Sequence, residues 1–177
     1  MSMIVGIMGL SILIAIGGIC SRKPRDESLD DIVETYVPEV ELPRAELKEL
    51  PIETIEGIGP KYGALLREKG IETVAELVIA LPNSVAEICG VDEAQAQLWV
   101  AMSRFCWLDS ISEEDAEAIV YGGGILDLEE LADANATELL DEIKNAVSLG
   151  RVRIPKDYTF TMDMVNAWIK EAKSVIK

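Results

Sequence analysis

Helix-start signals recur at short intervals between residues 73 and 138, and they limit this part of the chain to short helices. Each pairs a capping residue with an acid or amide three positions on: Thr73/Glu76, Ser84/Glu87, Asp92/Gln95, Ser112/Asp115 and Asn135/Glu138. In a capping box the first side chain accepts from the backbone N–H of the fourth residue, whose own side chain reaches back. Gly70, Gly90, Gly122 to Gly124 and Gly150 stand where such helices would stop, because glycine enters left-handed backbone without steric cost. Strand-like alternation is nearly absent. Residues 51–177 are therefore expected to form one all-α domain of ordinary size.

Two stretches of this domain are similar. Residues 55–77 and 108–131 align with one extra Gly in the second, and the pairs Ile58/Ile111, Gly63/Ala116, Leu66/Ile119, Ile71/Ile125 and Leu77/Leu131 keep the apolar frame. Such self-similarity indicates one supersecondary unit used twice and packed on itself. The units are expected over about 51–107 and 108–150, with a closing helix over 161–176. That helix carries Val165, Trp168, Ile169 and Ala172 at i, i+3, i+4 and i+7, a core-facing stripe.

The first unit opens on Ile55-x-Gly57-Ile58-Gly59-Pro60-Lys61-x-Gly63, which resembles the hairpin of a helix-hairpin-helix motif: apolar-x-Gly-apolar-Gly-x-x-x-small. Ile88-Cys89-Gly90-Val91-Asp92-Glu93-Ala94-Gln95-Ala96 resembles a looser one. The order Gly-Ile-Gly-Pro, Gly-Ile-x-Thr-Val-x-Glu-Leu, second hairpin, repeat and closing Trp-Ile-x-x-Ala is similar to a family of tandem helix-hairpin-helix proteins known as a domain of unknown function. The resemblance covers roughly residues 50–175. It implies a tandem helix-hairpin-helix (SAM-like helical) fold, with Gly57, Ile58, Gly59 and Lys61 as an anion or partner site, because such hairpins present backbone N–H groups at a helix start. It implies no activity.

Residues 3–20 carry no charge and include Ser11 as their one hydroxyl side chain; as a helix they would measure about 27 Å, enough for a bilayer core. Arg22, Lys23 and Arg25 follow, so the positive-inside rule keeps the rest of the chain cytoplasmic. The charges lie on the wrong side for a cleaved signal peptide. Residues 1–21 are thus expected to be a single-pass membrane anchor. Gly6, Gly9 and Gly17 on one face, and Ser11, Ala15 and Gly18 on another, suit packing against another span or self-association. Residues 22–50 hold Pro24, Pro38, Pro43 and many carboxylates, and read as an acidic tether.

Charge is distributed in blocks. Net −16 overall resolves into 29 acids and 6 bases over residues 26–142, between two mildly basic ends. A protein of pI 4.3 is a poor general binder of nucleic acid, whose affinity comes largely from Lys and Arg on phosphates. The turn equivalent to the glycine-rich one reads Ser110-Ile111-Ser112-Glu113-Glu114-Asp115: its glycines are gone, and acids stand where phosphates would lie.

Catalytic chemistry has few parts to draw on. No histidine is present, which removes His-based triads, His-ligated metals and His pH switches. The three cysteines, Cys20, Cys89 and Cys106, include no C-x-x-C. A helix from 92 to 106 would separate Cys89 from Cys106 by roughly 20 Å, too far for a disulfide. Both read as small buried apolar residues, with a redox role conditional on a partner's thiol; Cys20 is a candidate for acylation. Glu113, Glu114, Asp115 and Glu117 lack calcium-loop spacing and look like solvated helix starts, with Glu113, Glu114 and Asp115 as candidate interface residues for a protein partner. Trp99, Phe105 and Trp107 read as core, and Trp99 and Trp107 become interface anchors if exposed. No enzyme activity, cofactor or metal is expected. The reading is a membrane-anchored, non-catalytic protein-interaction module, an adaptor or accessory subunit of a larger complex; the alternative is a membrane-tethered nucleic-acid binder.

Overall fold

Thr73, Asp92, Ser112 and Asn135 each cap a helix in the computed structural model, which describes residues 50–176. The expected span over 3–20, Cys20 and the tether as far as Glu49 lie outside the described residues. The helices are α1 (Pro60–Arg67), α2 (Val74–Val78), α3 (Pro82–Cys89), α4 (Glu93–Phe105), α5 (Glu113–Glu117), α6 (Leu128–Asp133), α7 (Ala136–Ser148) and α8 (Met162–Val175). A 3-10 turn, Ile52–Thr54, precedes α1. Among the described residues there is no strand, and an isolated bridge pairs Pro51 with Thr73. None of the described helices is long and apolar enough to cross a membrane.

Local chemistry accounts for the helix starts. Thr73 N donates to Glu76 Oε2 at 2.7 Å, and Glu76 also accepts from the Thr73 hydroxyl. Asp92 accepts from Gln95 N at 2.7 Å, and Ser112 and Asp115 cap each other at 3.2 and 3.0 Å. The Ser84/Glu87 signal is displaced: α3 starts at Pro82, with Leu81 at its cap. Proline's fixed φ and missing N–H suit the first helical position, so it takes precedence over the serine two residues on. Asp127 and Thr161 cap α6 and α8 by the same chemistry, accepting from Glu130 N at 2.7 Å and Met164 N at 3.3 Å. Neither was among the five expected capping pairs, although the closing helix was expected to begin at residue 161.

The repeat is visible in the burial. Ile58 and Ile111, Gly63 and Ala116, Leu66 and Ile119, and Leu77 and Leu131 are all buried pairs. The extra residue of the second copy has a structural counterpart: α5 runs into a π-helical segment, Ala118–Gly122. In the first copy Ile71 N closes on Leu66 O at 3.0 Å; in the second, Ile125 N closes on Ile119 O at 3.3 Å, one residue further round. A one-residue insertion widens a helical turn in this way. Gly122 and Gly123 let α7 approach the wide turn: a Cβ on Gly122 would stand 3.2 Å from Ile143 Cα, and one on Gly123 would collide with the Leu139 side chain.

The helix order also repeats. α1 to α4 are matched by α5 with its π turn, α6, α7 and α8. The last helices share a register. Ala96, Trp99, Val100 and Ser103 of α4, and Val165, Trp168, Ile169 and Ala172 of α8, lie at the same distances from their caps, Asp92 and Thr161, and all are buried. The helix expected to close the domain is therefore the fourth helix of the second copy, packed on α6 and α7. One core spans both copies.

Candidate functional site

The turns ahead of α1 and α5 share a backbone. Ile58 N donates to Ile55 O at 3.0 Å, and Ile111 N to Leu108 O at 3.2 Å. Buried Ile55, Ile58, Leu108 and Ile111 anchor both turns to the core. What surrounds the intervening amides differs.

In the first turn Glu56 and Gly57 are exposed, and neither backbone N–H has a hydrogen-bond partner among the described residues. Gly57 has φ +89°, where glycine alone is unstrained, and it lies on the edge of the Trp99 ring: a Cβ there would stand 2.7 Å from the indole nitrogen. Trp99 is 1% exposed, and its indole N–H has no acceptor. The Tyr62 ring packs on Trp99 at 5.2 Å. Lys61 is exposed, its ammonium 5.4 Å from the centre of the Tyr62 ring. Arg67 pairs with Glu53 at 2.6 Å, and this bond holds the Glu53 carboxyl below its usual range. Gly63 gives Glu53 room, since a Cβ at this position would collide with that carboxylate. Gly57, Ile58, Gly59 and Lys61 lie on this turn and the first residues of α1, with Ile58 buried and Lys61 exposed.

In the second turn the equivalent groups are all engaged. Glu171 of α8 accepts from Asp109 N at 2.6 Å, Ser110 N at 2.8 Å and the Ser110 hydroxyl at 2.5 Å. The Trp168 indole donates to Ser110 O at 3.0 Å. Trp168 occupies the register of Trp99, and Glu171 that of Met102, which is buried. Sequence reasoning missed Glu171. The signal was available as Trp168-x-x-Glu171 beside Trp99-x-x-Met102, but only once α4 and α8 are aligned.

The acidic run divides. Glu113 is exposed and Glu114 half-buried, whereas Asp115 is 3% and Glu117 7% exposed. Asp115 and Glu117 are thus not the solvated helix start that was expected. Asp115 caps Ser112 and accepts from the Tyr158 hydroxyl at 2.6 Å; burial and this bond push Tyr158 up to about 12. Glu117 accepts from Arg153 N at 3.0 Å, and burial, with Glu56 and Glu114 nearby, raises its pKa. An acid in a helix's first turn reads as surface until the loop over 149–160 is seen to cover it.

The remaining candidates sit mainly in the core. Trp107 is half-buried and packed against the core, with an indole N–H that is covered and unpaired. Cys89 and Cys106 are buried and not joined in a disulfide, they stand at opposite ends of α4, and burial raises the Cys89 pKa. Among the described residues no group of three His, Cys, Asp or Glu is placed to hold a metal ion. A shallow groove of about 460 Å³ on α8 is lined by Asn166, Ile169, Lys170, Lys173 and Ser174. The chemistry these features offer is binding through backbone donors at the first turn.

A family profile described as a domain of unknown function (DUF4332) matches residues 56–175. Comparison with the curated proteins and with the solved structures found no match.

Proposed function

The chain belongs to the DUF4332 family, a domain of unknown function, and from that premise we propose that it is a non-catalytic adaptor, a membrane-anchored module that docks a protein partner. The two turns act as the hairpins of a tandem helix-hairpin-helix scaffold. The observation that carries this reading is the Glu171 carboxylate on the Asp109 and Ser110 amides. A tandem scaffold grips nucleic acid with hairpin amides on phosphate oxygens, and here one of the two hairpins is closed by the chain's own anion. Glu113 is exposed beside it, and the block over 26–142 is strongly acidic, so a polyanion meets repulsion at long and short range. Residues 3–20 supply the anchor, and Arg22, Lys23 and Arg25 hold the domain on the cytoplasmic side. Small residues on two faces of that span suit a place in a larger membrane complex, or self-association.

The first turn favours a second reading, a membrane-tethered nucleic-acid binder, because it retains Gly57, Gly59, Lys61 and unengaged amides. Anisotropy of a fluorescent DNA duplex, titrated with the full chain in uncharged detergent near physiological salt, separates the two. The adaptor reading expects no saturable binding, together with a stoichiometric protein complex on purification from native membranes. Tight duplex binding that weakens steeply with salt would overturn it.

A further inference from the structure

We propose that the first turn is a receptor for a single carboxylate side chain of a partner protein, held by the backbone N–H groups of Glu56 and Gly57 as Glu171 is held by those of Asp109 and Ser110. This rests on the adaptor reading and names the chemistry its partner must present. The molecule contains its own precedent: the same turn, built on the same apolar frame, binds a carboxylate through two amides at 2.6 and 2.8 Å. In the first half Met102 holds that register position, and Glu56 and Gly57 are exposed with amides that have no partner among the described residues. Charge-assisted bonds to backbone N–H groups are among the stronger hydrogen bonds.

The Trp99 indole is an independent sign that the turn is incomplete. It is buried, packed against Gly57 and without an acceptor, whereas the Trp168 indole in the filled turn donates to Ser110 O. A buried unpaired donor is uncommon and costly. The indole nitrogen stands beside Gly57, where a Cβ would lie 2.7 Å from it, so the unpaired donor borders the turn that would seat the carboxylate.

The surroundings select one carboxylate over a phosphate chain. Arg67 is already paired with Glu53, Glu56 carries its own charge at the turn, Lys61 on the first turn of α1 is exposed, and Arg153 faces the Glu117 carboxylate beside Glu56. A lone carboxylate brings one charge to two donors; a duplex brings one charge per ~1.7 Å. The partner surface around that carboxylate should be neutral or basic, to complement an acidic domain.

The test is proton–nitrogen NMR of the full chain in uncharged detergent micelles, titrated with sodium acetate, with acetamide at matched salt as the neutral isostere. The amide protons of Glu56 and Gly57 are expected to move downfield together and saturably with acetate, and about tenfold more weakly with acetamide. Met102→Glu, which supplies the carboxylate within the chain, should abolish the response. Glu171→Ala is the control that needs no new group in the core: it should open an acetate response at Asp109 and Ser110. No response at Glu56 and Gly57, whether or not the control responds, overturns the proposal and leaves the adaptor reading standing. If duplex DNA moves these amides at lower concentration than acetate, both fall. If they move when the protein alone is concentrated, a second copy supplies the carboxylate, and the assignment to a different protein is overturned.

Discussion

In the first half of the domain Glu56 and Gly57 are exposed, and among the described residues their amides and the Trp99 indole N–H have no acceptor; in the second half Glu171 and the Ser110 carbonyl engage every equivalent group. The frames beneath are alike, down to the buried isoleucines and the register of the two tryptophans. The contrast lies in a few side chains: Met102 against Glu171, and Gly57 against Ser110. A duplicated unit can thus use one copy to complete the fold and keep the other open for a ligand. Turn geometry alone does not tell which copy is which. The donor count around each turn does.

Substitutions can break this comparison or sharpen it. The largest effect is expected at the close approach of α7 to the π turn, which the first half lacks. Gly123→Ala places a Cβ against Leu139 and the Ile119 carbonyl oxygen, and should cost about 2–3 kcal/mol in denaturant unfolding, where overpacking of this kind commonly falls. Glu171→Ala should follow at about 2 kcal/mol, because it removes the carboxylate to which the Asp109 and Ser110 amides and the Ser110 hydroxyl donate. The tryptophans then separate. Trp168→Phe should lose about 1 kcal/mol more than Trp99→Phe, since only the former gives up a hydrogen bond and the latter removes an unpaired donor. Equal costs would place the two indoles in like surroundings and contradict the contrast.

The smallest effect is electrostatic and opposite in sign. The pKa of Glu117 is raised above the ordinary 4.5 by burial. An acid whose folded value is raised favours folding fully below the unfolded value, and that contribution is lost as pH rises through the folded value. Glu117→Gln keeps an acceptor for Arg153 N and should therefore stabilise the domain at neutral pH, a gain that disappears as the pH falls to the ordinary carboxylate value of 4.5 and below. Glu53 and Glu76 behave in reverse. Arg67 draws Glu53 below 4.5; burial works against Glu76, but the bonds from Thr73 outweigh it. Their contributions should disappear as pH falls through the lowered values. Thermal melts of the wild type and of Glu117→Gln across pH 3–7 check all three signs.

Local determinants were legible in the sequence because they act over three or four residues. Thr73/Glu76, Ser112/Asp115 and the Val165–Ala172 stripe carry their own partners within a turn of helix. Ser84 misled because Pro82 competes at the same short range. The apolar frame of the repeat was legible too, and the extra glycine marked the π turn without revealing it. What stayed hidden depends on contacts far apart in the chain: Glu171 on Asp109 and Ser110, Tyr158 on Asp115, and Arg153 on Glu117. A carboxylate in a helix's first turn, or on the flank of an amphipathic helix, has the same local signature whether it meets water or a buried amide.

Amide hydrogen exchange at the two turns is the most direct measurement of the contrast, because it reads each N–H where it stands. In the full chain, Asp109 and Ser110 should exchange at least about tenfold more slowly than Glu56 and Gly57, after correction for intrinsic rates, and Glu171→Ala should erase that difference. Equal protection at both turns in the wild type, or protection of Asp109 and Ser110 that survives Glu171→Ala, would contradict a domain with one turn closed and the other open.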